Sequence, residues 1–167
     1  MTINRVATCQ AVLAEALGLD ELSFDENSHA VVAMDGGFLH LQMIDEEEAQ
    51  VLVLVADLGA IGTDPEIQQT LLIGNLSWRD VAGGALALDP EGRNALLVVR
   101  LDLAALNEAA LAQRLYATID AAERWTAELA AMVDSVRQER ASAARSAYPS
   151  EMGWTLPTTV IASSDLV

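Results

Sequence analysis

Two histidines, one cysteine and 25 carboxylates are the side chains best equipped for chemistry in this sequence. None stands in a pattern that commits it to a reaction. His29 opens an apolar run, and His40 sits between Leu39 and Leu41. A metal site needs three or four converging His, Cys or carboxylate ligands, and the two histidines with Cys9 include no close-spaced pair. They read as ordinary surface or interface histidines. Cys9 has only Arg5 nearby in sequence to lower its pKa, so it reads as a buried or half-buried thiol rather than a nucleophile. The acidic run Asp45, Glu46, Glu47 and Glu48 suggests calcium, but the EF-hand spacing and its central glycine are missing, which leaves a solvated turn. There is no Lys, so Schiff-base chemistry is closed. Nucleophile-elbow, phosphate-loop and dinucleotide-binding motifs are absent, and Gly83-Gly84 reads as a break before a strand. Acid pairs of the glycosidase kind are numerous among so many carboxylates, yet no spacing singles one out. The sequence thus points away from an enzyme and implies no catalytic residue, metal or cofactor.

Charge narrows the partners. All nine basic residues are Arg, and against the acids they leave a formal net charge of −16. Such a surface repels phosphate backbones and anionic membranes, which argues against nucleic acid and against membrane insertion. It suits a basic or amphipathic protein partner. One cysteine allows no internal disulfide, which fits a reducing cytoplasm. No run approaches the about 18–20 apolar residues of a membrane span, and the start Met1-Thr2-Ile3-Asn4-Arg5 lacks the pattern of a signal peptide. The 167 residues suit one domain with its own core.

The elements that must position any site follow from periodicity. Ile3, Val6, Leu13 and Leu17 recur at helical spacing from Thr2 to Leu19, with Gly18 as the stop. The acidic stretch Asp20 to Ser28 is a loop. His29–Asp35 and Phe38–Ile44 read as strands joined at Gly36-Gly37, and Val51–Asp57, apolar until its last residue, as a third strand closed by Leu58-Gly59. A strand apolar on both faces is covered twice or shows one face to a partner. Asp64-Pro65-Glu66 starts a second helix to about Asn75. Ala85–Asp89 and Ala95–Leu103 make a second hairpin. Asn107 caps a long helix whose stripe Leu111, Leu115, Ile119, Ala122, Trp125, Leu129, Met132 and Val136 runs to about Arg140. The expected fold is α+β, in the order α-βββ-α-ββ-α, an antiparallel sheet flanked by helices. Residues 1–140 form the single domain and 141–167 a loosely ordered C-terminal tail.

In this order of elements the chain resembles the class I chaperones of bacterial type III secretion, the CesT or Tir-chaperone-like family. The features that carry the resemblance span about residues 2–140. They are the hairpin block from His29 to Asp57, the Leu58-Gly59 step into the Asp64-Pro65 helix, the strands Ala85–Asp89 and Leu96–Leu103, and the long helix with Ala122 and Trp125. The resemblance implies a cytoplasmic bacterial virulence protein that is neither secreted nor enzymatic. As a homodimer it would bind the non-globular N-terminal segment of a secreted effector. It also implies a client groove between the first helix and the neighbouring strands. The matching positions here are Val12, Leu13, Val31, Phe38, His40, Leu52 and Leu54. In the strands, Val31, Ala33, Phe38 and His40 form one apolar set and Val32, Met34, Leu39 and Leu41 the other, and the sequence leaves open which faces the core.

The second helix is apolar on more than one side, through Ile67, Leu71, Leu72 and Ile73, where a surface helix needs one stripe. With the resemblance, this puts a dimer interface at Ile67, Leu71, Leu72, Trp78 and Leu86; the plainer reading packs the extra side under the loop to Trp78. Two other functions remain: an α+β adaptor or regulatory module of the same fold that binds a protein outside secretion, and a small hydrolase with dispersed carboxylates.

Overall fold

The computed structural model describes residues 5–45 and 50–147. Three helices and five strands follow in the expected order: α1 (Arg5–Leu17), β1 (His29–Met34), β2 (Gly37–Asp45), β3 (Gln50–Ala60), α2 (Pro65–Gly74), β4 (Ala85–Leu88), β5 (Asn94–Asp102) and α3 (Glu108–Ala147). Contacts divide the chain into Met1–Asp134, which contains the sheet and its core, and Ser135–Val167. The described part of the second unit is helical through Ala147, seven residues beyond the expected helix end at Arg140. The rest of the expected tail, 148–167, and Glu46–Glu48 of the acidic turn lie outside the described residues.

Local chemistry sets the helix ends. Gly18 takes φ +68°, so its N–H reaches the Glu15 carbonyl while that of Leu19 reaches Ala14; a Cβ would strain this left-handed turn. At the start of α2, the Asp64 carboxylate accepts from the Glu66 N–H at 3.0 Å. Pro65 stands next, where a missing N–H costs nothing. The Asn107 side chain caps α3 by accepting from the Ala110 N–H at 2.8 Å.

The five strands form one antiparallel sheet in the order β1-β2-β3-β5-β4. Two details depart from the sequence reading. Met34 pairs with Gly37, so the hairpin loop is Asp35-Gly36 rather than Gly36-Gly37. Of these two glycines, only Gly36 has positive φ. Gly37 is needed for space, because a Cβ there would stand 2.6 Å from the Asp57 carbonyl oxygen. Leu58-Gly59 does not close β3 either. The strand runs on to Ala60 through an irregularity between Asp57 and Ala60, where Gly59 takes φ +95°.

One face of the sheet is buried: Leu39, Leu41 and Met43 of β2, Leu52, Leu54, Ala56 and Leu58 of β3, and Ala95, Leu97, Val99 and Leu101 of β5. With it are buried Leu13 of α1, Ile67 and Leu71 of α2, and Leu111, Leu115, Ala122, Trp125 and Leu129 of α3. These make the core. Trp125 ties it to the α2–β4 connection. Its Nε1 donates to the Asp80 carbonyl at 3.1 Å, and its ring fills the space a side chain on Gly74 would take. Asn75 holds the outer edge of β4, accepting from the Leu86 N–H at 2.7 Å and donating back to the Leu86 carbonyl. Trp125→Ala should lower unfolding free energy by about 3–5 kcal/mol in a denaturant titration. A variant of unchanged stability that loses partner binding would move Trp125 from the scaffold to a binding surface.

Candidate functional site

Because side chains alternate along a strand, burying Leu39, Leu41, Leu52 and Leu54 forces their neighbours onto the opposite face. On β1 and β2 that face carries Val31, Ala33, Phe38 and His40, the first of the two sets. Register aligns them across the sheet. Val31 stands opposite His40, His40 opposite Val55, Val55 opposite Val98, and Val98 opposite Ala85, one row from edge to edge. A second row brings Ala33 against Phe38, and Asp57, Leu96 and Ala87 against one another. Val31 remains 49% and Phe38 52% exposed, and Val53, Val55, Leu96 and Val98 are half-buried. This is a largely apolar platform, open at Val31 and Phe38 and buried at its far end on β3, where Val51 is 1% exposed.

The platform holds the one ring pair of the described residues. His29 stands opposite Gln42, and His40 opposite Val31 two positions on, so the rings are diagonal neighbours on one face. His29 Nε2 lies 3.2 Å from His40 Nδ1, and the rings stack at 5.4 Å. Eleven residues apart in sequence, they meet only through the register of the hairpin. They remain two ligands. Among the described residues no group of three His, Cys, Asp or Glu gathers that would hold a metal ion.

The expected client residues therefore fall in three places. Val31, Phe38 and His40 share the open face. Leu13, Leu52 and Leu54 are wholly inside, since Leu52 pairs with Met43 and Leu101, and Leu54 with Leu41 and Val99, all on the buried face. Val12 lines a cavity of about 650 Å³ between α1 and the β5–α3 connection, with Cys9, Leu103, Leu106 and Leu111 among its other walls. Val53, Val55, Leu96 and Val98 were missed; only the strand pairing shows that they continue the Val31–Phe38 face.

The expected interface residues also divide. Ile67, Leu71 and Leu86 belong to the core. Leu72 (71% exposed) and Trp78 (65%) are at the surface, where Ile73 and Leu76 (84%) join them. The extra apolar side of α2 is thus not packed under the loop to Trp78. The Arg79 guanidinium covers part of that indole, 5.1 Å from its ring centre.

Cys9 lies 4% exposed on α1, and loss of water around it pushes its thiol up to about 11. It is protonated and unreactive at neutral pH. Ellman's reagent at pH 7 should therefore modify Cys9 far more slowly in the native protein than after unfolding; equal rates would contradict the burial.

Five antiparallel strands with one face sealed by helices and the other left open and apolar define an α+β fold of the type III secretion chaperone kind. The chain belongs to the Tir chaperone protein (CesT) family, whose profile matches residues 10–126. Among solved structures it is similar to a chain of the ExsC–ExsE complex, with 24% identity, a TM-score of 0.63, and coverage of 77% of this chain and 97% of that one. It is similar to a chain of the complex of the Yersinia pestis type III secretion chaperone SycH with a stable fragment of YscM2, with 24% identity, a TM-score of 0.55, and coverage of 73% and 99%. It is also similar to a chain of the ExoT–SpcS complex of Pseudomonas aeruginosa, with 26% identity, a TM-score of 0.54, and coverage of 74% and 98%. No curated protein matches the chain. No helix among the described residues is long and apolar enough to cross a membrane.

Proposed function

We propose that the chain is a cytosolic chaperone of bacterial type III secretion. It binds the non-globular N-terminal segment of a secreted effector, keeps that segment soluble and ready for export, and catalyses no reaction. The observation that carries this reading is the open face: rows of aligned apolar side chains on a rigid sheet, exposed at Val31 and Phe38. An extended segment laid across it buries its own apolar side chains at about 1.5–3 kcal/mol each. Several are needed, since a segment without a fold of its own loses entropy on binding. The net charge of −16 draws basic segments and keeps the loaded complex in solution. Family membership supports the reading, as does the complex that SycH forms with a fragment of YscM2.

The direct test is co-expression with the N-terminal segment of a candidate secreted effector. Phe38→Asp combined with Val31→Asp should abolish recovery of the complex and leave the fold unchanged by circular dichroism. Wild-type recovery from this variant would place the client elsewhere. Leu52→Asp is no substitute, because Leu52 is fully buried and a charge there unfolds the protein.

The protein works as a homodimer in this proposal, and the patch of Leu72, Ile73, Leu76 and Trp78 is the self-complementary contact. Four large apolar side chains in seven residues, all more than half exposed, are what an isologous interface requires. Sedimentation at micromolar concentration should show a dimer that Leu72→Asp converts to monomer; a monomeric wild type would end this part of the proposal.

A further inference from the structure

The stacked histidines lie inside the proposed client face, and this inference rests on that reading. We propose that the grip of the face on its client is proton-linked: tight when the His29–His40 pair is uncharged, and loosened when the pair takes up a proton.

The geometry supplies the reason. At 3.2 Å, His29 Nε2 and His40 Nδ1 share one hydrogen bond, in which one ring donates and the other accepts. With both rings neutral, the pair is a flat, weakly polar continuation of the row through Val31 and Val55. One proton turns it into a cation whose charge is shared across the bond, and a second sets two N–H donors against each other. A client laid over the row removes water from the rings, which disfavours their charged form. Binding and protonation therefore compete.

Loss of water on covering sets the direction. Gln42 and Phe38 flank His40 on β2, with Val31 on β1 and Val53 and Val55 on β3, all uncharged, while Asp57, two residues beyond Val55, puts one carboxylate on the same face. The loop before β1 brings Asp25, whose carboxylate accepts the His29 backbone N–H at 2.9 Å, and the exposed Glu26. Both are negative. Arg100 of β5 shares the row of His29, Gln42 and Val53, three strands away or about 14 Å. Covering the pair therefore works against any proton it carries. By linkage the client is held where the pair is uncharged and loosened where it is protonated.

The experiment is calorimetric titration of the full chain with the same N-terminal segment at about pH 8 and about pH 5.5, repeated in buffers of different ionisation enthalpy. For the wild type, binding should weaken about tenfold at the lower pH, the equivalent of one pKa unit of linkage. Near pH 6 it should release protons into the buffer. In the double variant His29→Gln, His40→Gln the ratio of affinities at the two pH values should fall close to one, whatever its affinity at pH 8. A wild type that binds equally at both pH values without proton release overturns the proposal, and so does a double variant with an unchanged ratio. Failure of the segment to bind at about pH 8 would instead strike the chaperone reading itself, so the two failures are distinguishable. The proton-release measurement needs no variant, so misfolding of the double variant leaves the proposal open to refutation.

Discussion

β3 is hydrogen-bonded along both edges, to β2 from Leu39↔Ala56 to Asp45↔Gln50 and to β5 from Val51↔Asp102 to Asp57↔Leu96. That double pairing decides which way the side chains of its neighbours point. Slipping either ladder by one residue would turn Leu52 and Leu54 out to solvent and bring Val53, Val55 and their aligned partners inside. The register is held because the sealed face is the better packed one: Leu39, Leu41, Leu52, Leu54, Leu97 and Val99 are wholly buried. The open platform, the meeting of the histidines and the seat of Trp125 beneath the α2–β4 connection all follow from it.

The same constraint explains how a small domain carries so much apolar surface on an exposed face. The chain is 52% hydrophobic, and its most exposed large apolar side chains include two groups. One is the platform, broad and fixed on strands. The other is the compact patch after α2, at Leu72, Ile73, Leu76 and Trp78. A broad sheet face suits an extended segment, whereas a compact helical patch suits a second copy of itself. A charge of −16 offsets the aggregation that such surfaces invite.

Much of the fold was legible in the sequence because its signals are local. The Gly18 stop, the Asp64-Pro65 start and the Asn107 cap act within one turn of their helices, and each lies where the sequence places it. The hairpin was legible to within a residue: the turn is Asp35-Gly36 rather than Gly36-Gly37, and Gly37 is instead the first residue of β2, where the Asp57 carbonyl of β3 leaves no room for a Cβ. β3 outran its expected end because Gly59 absorbs an irregularity instead of stopping the strand. The site was less legible. Both sets of β1 and β2 side chains are apolar, so alternation left the inward set open, and Leu52 and Leu54 were grouped with Phe38 although their faces are opposite. The contact of His29 with His40 depends on register alone. On α2, by contrast, the apolar excess at Leu72 and Ile73 was visible in composition, because a short helix needs only one stripe for its core.

The central claim is that the face opposite the helices receives the client. The most direct measurement is methyl NMR of the protein, selectively labelled at valine and leucine, with and without the bound N-terminal segment. The account predicts that the signals of Val31, Val53, Val55, Leu96 and Val98 shift together on binding while those of Leu52, Leu54 and Leu97 stay in place. Shifts confined to Val12, Leu103, Leu106 and Leu111 would put the client in the α1 cavity and contradict it.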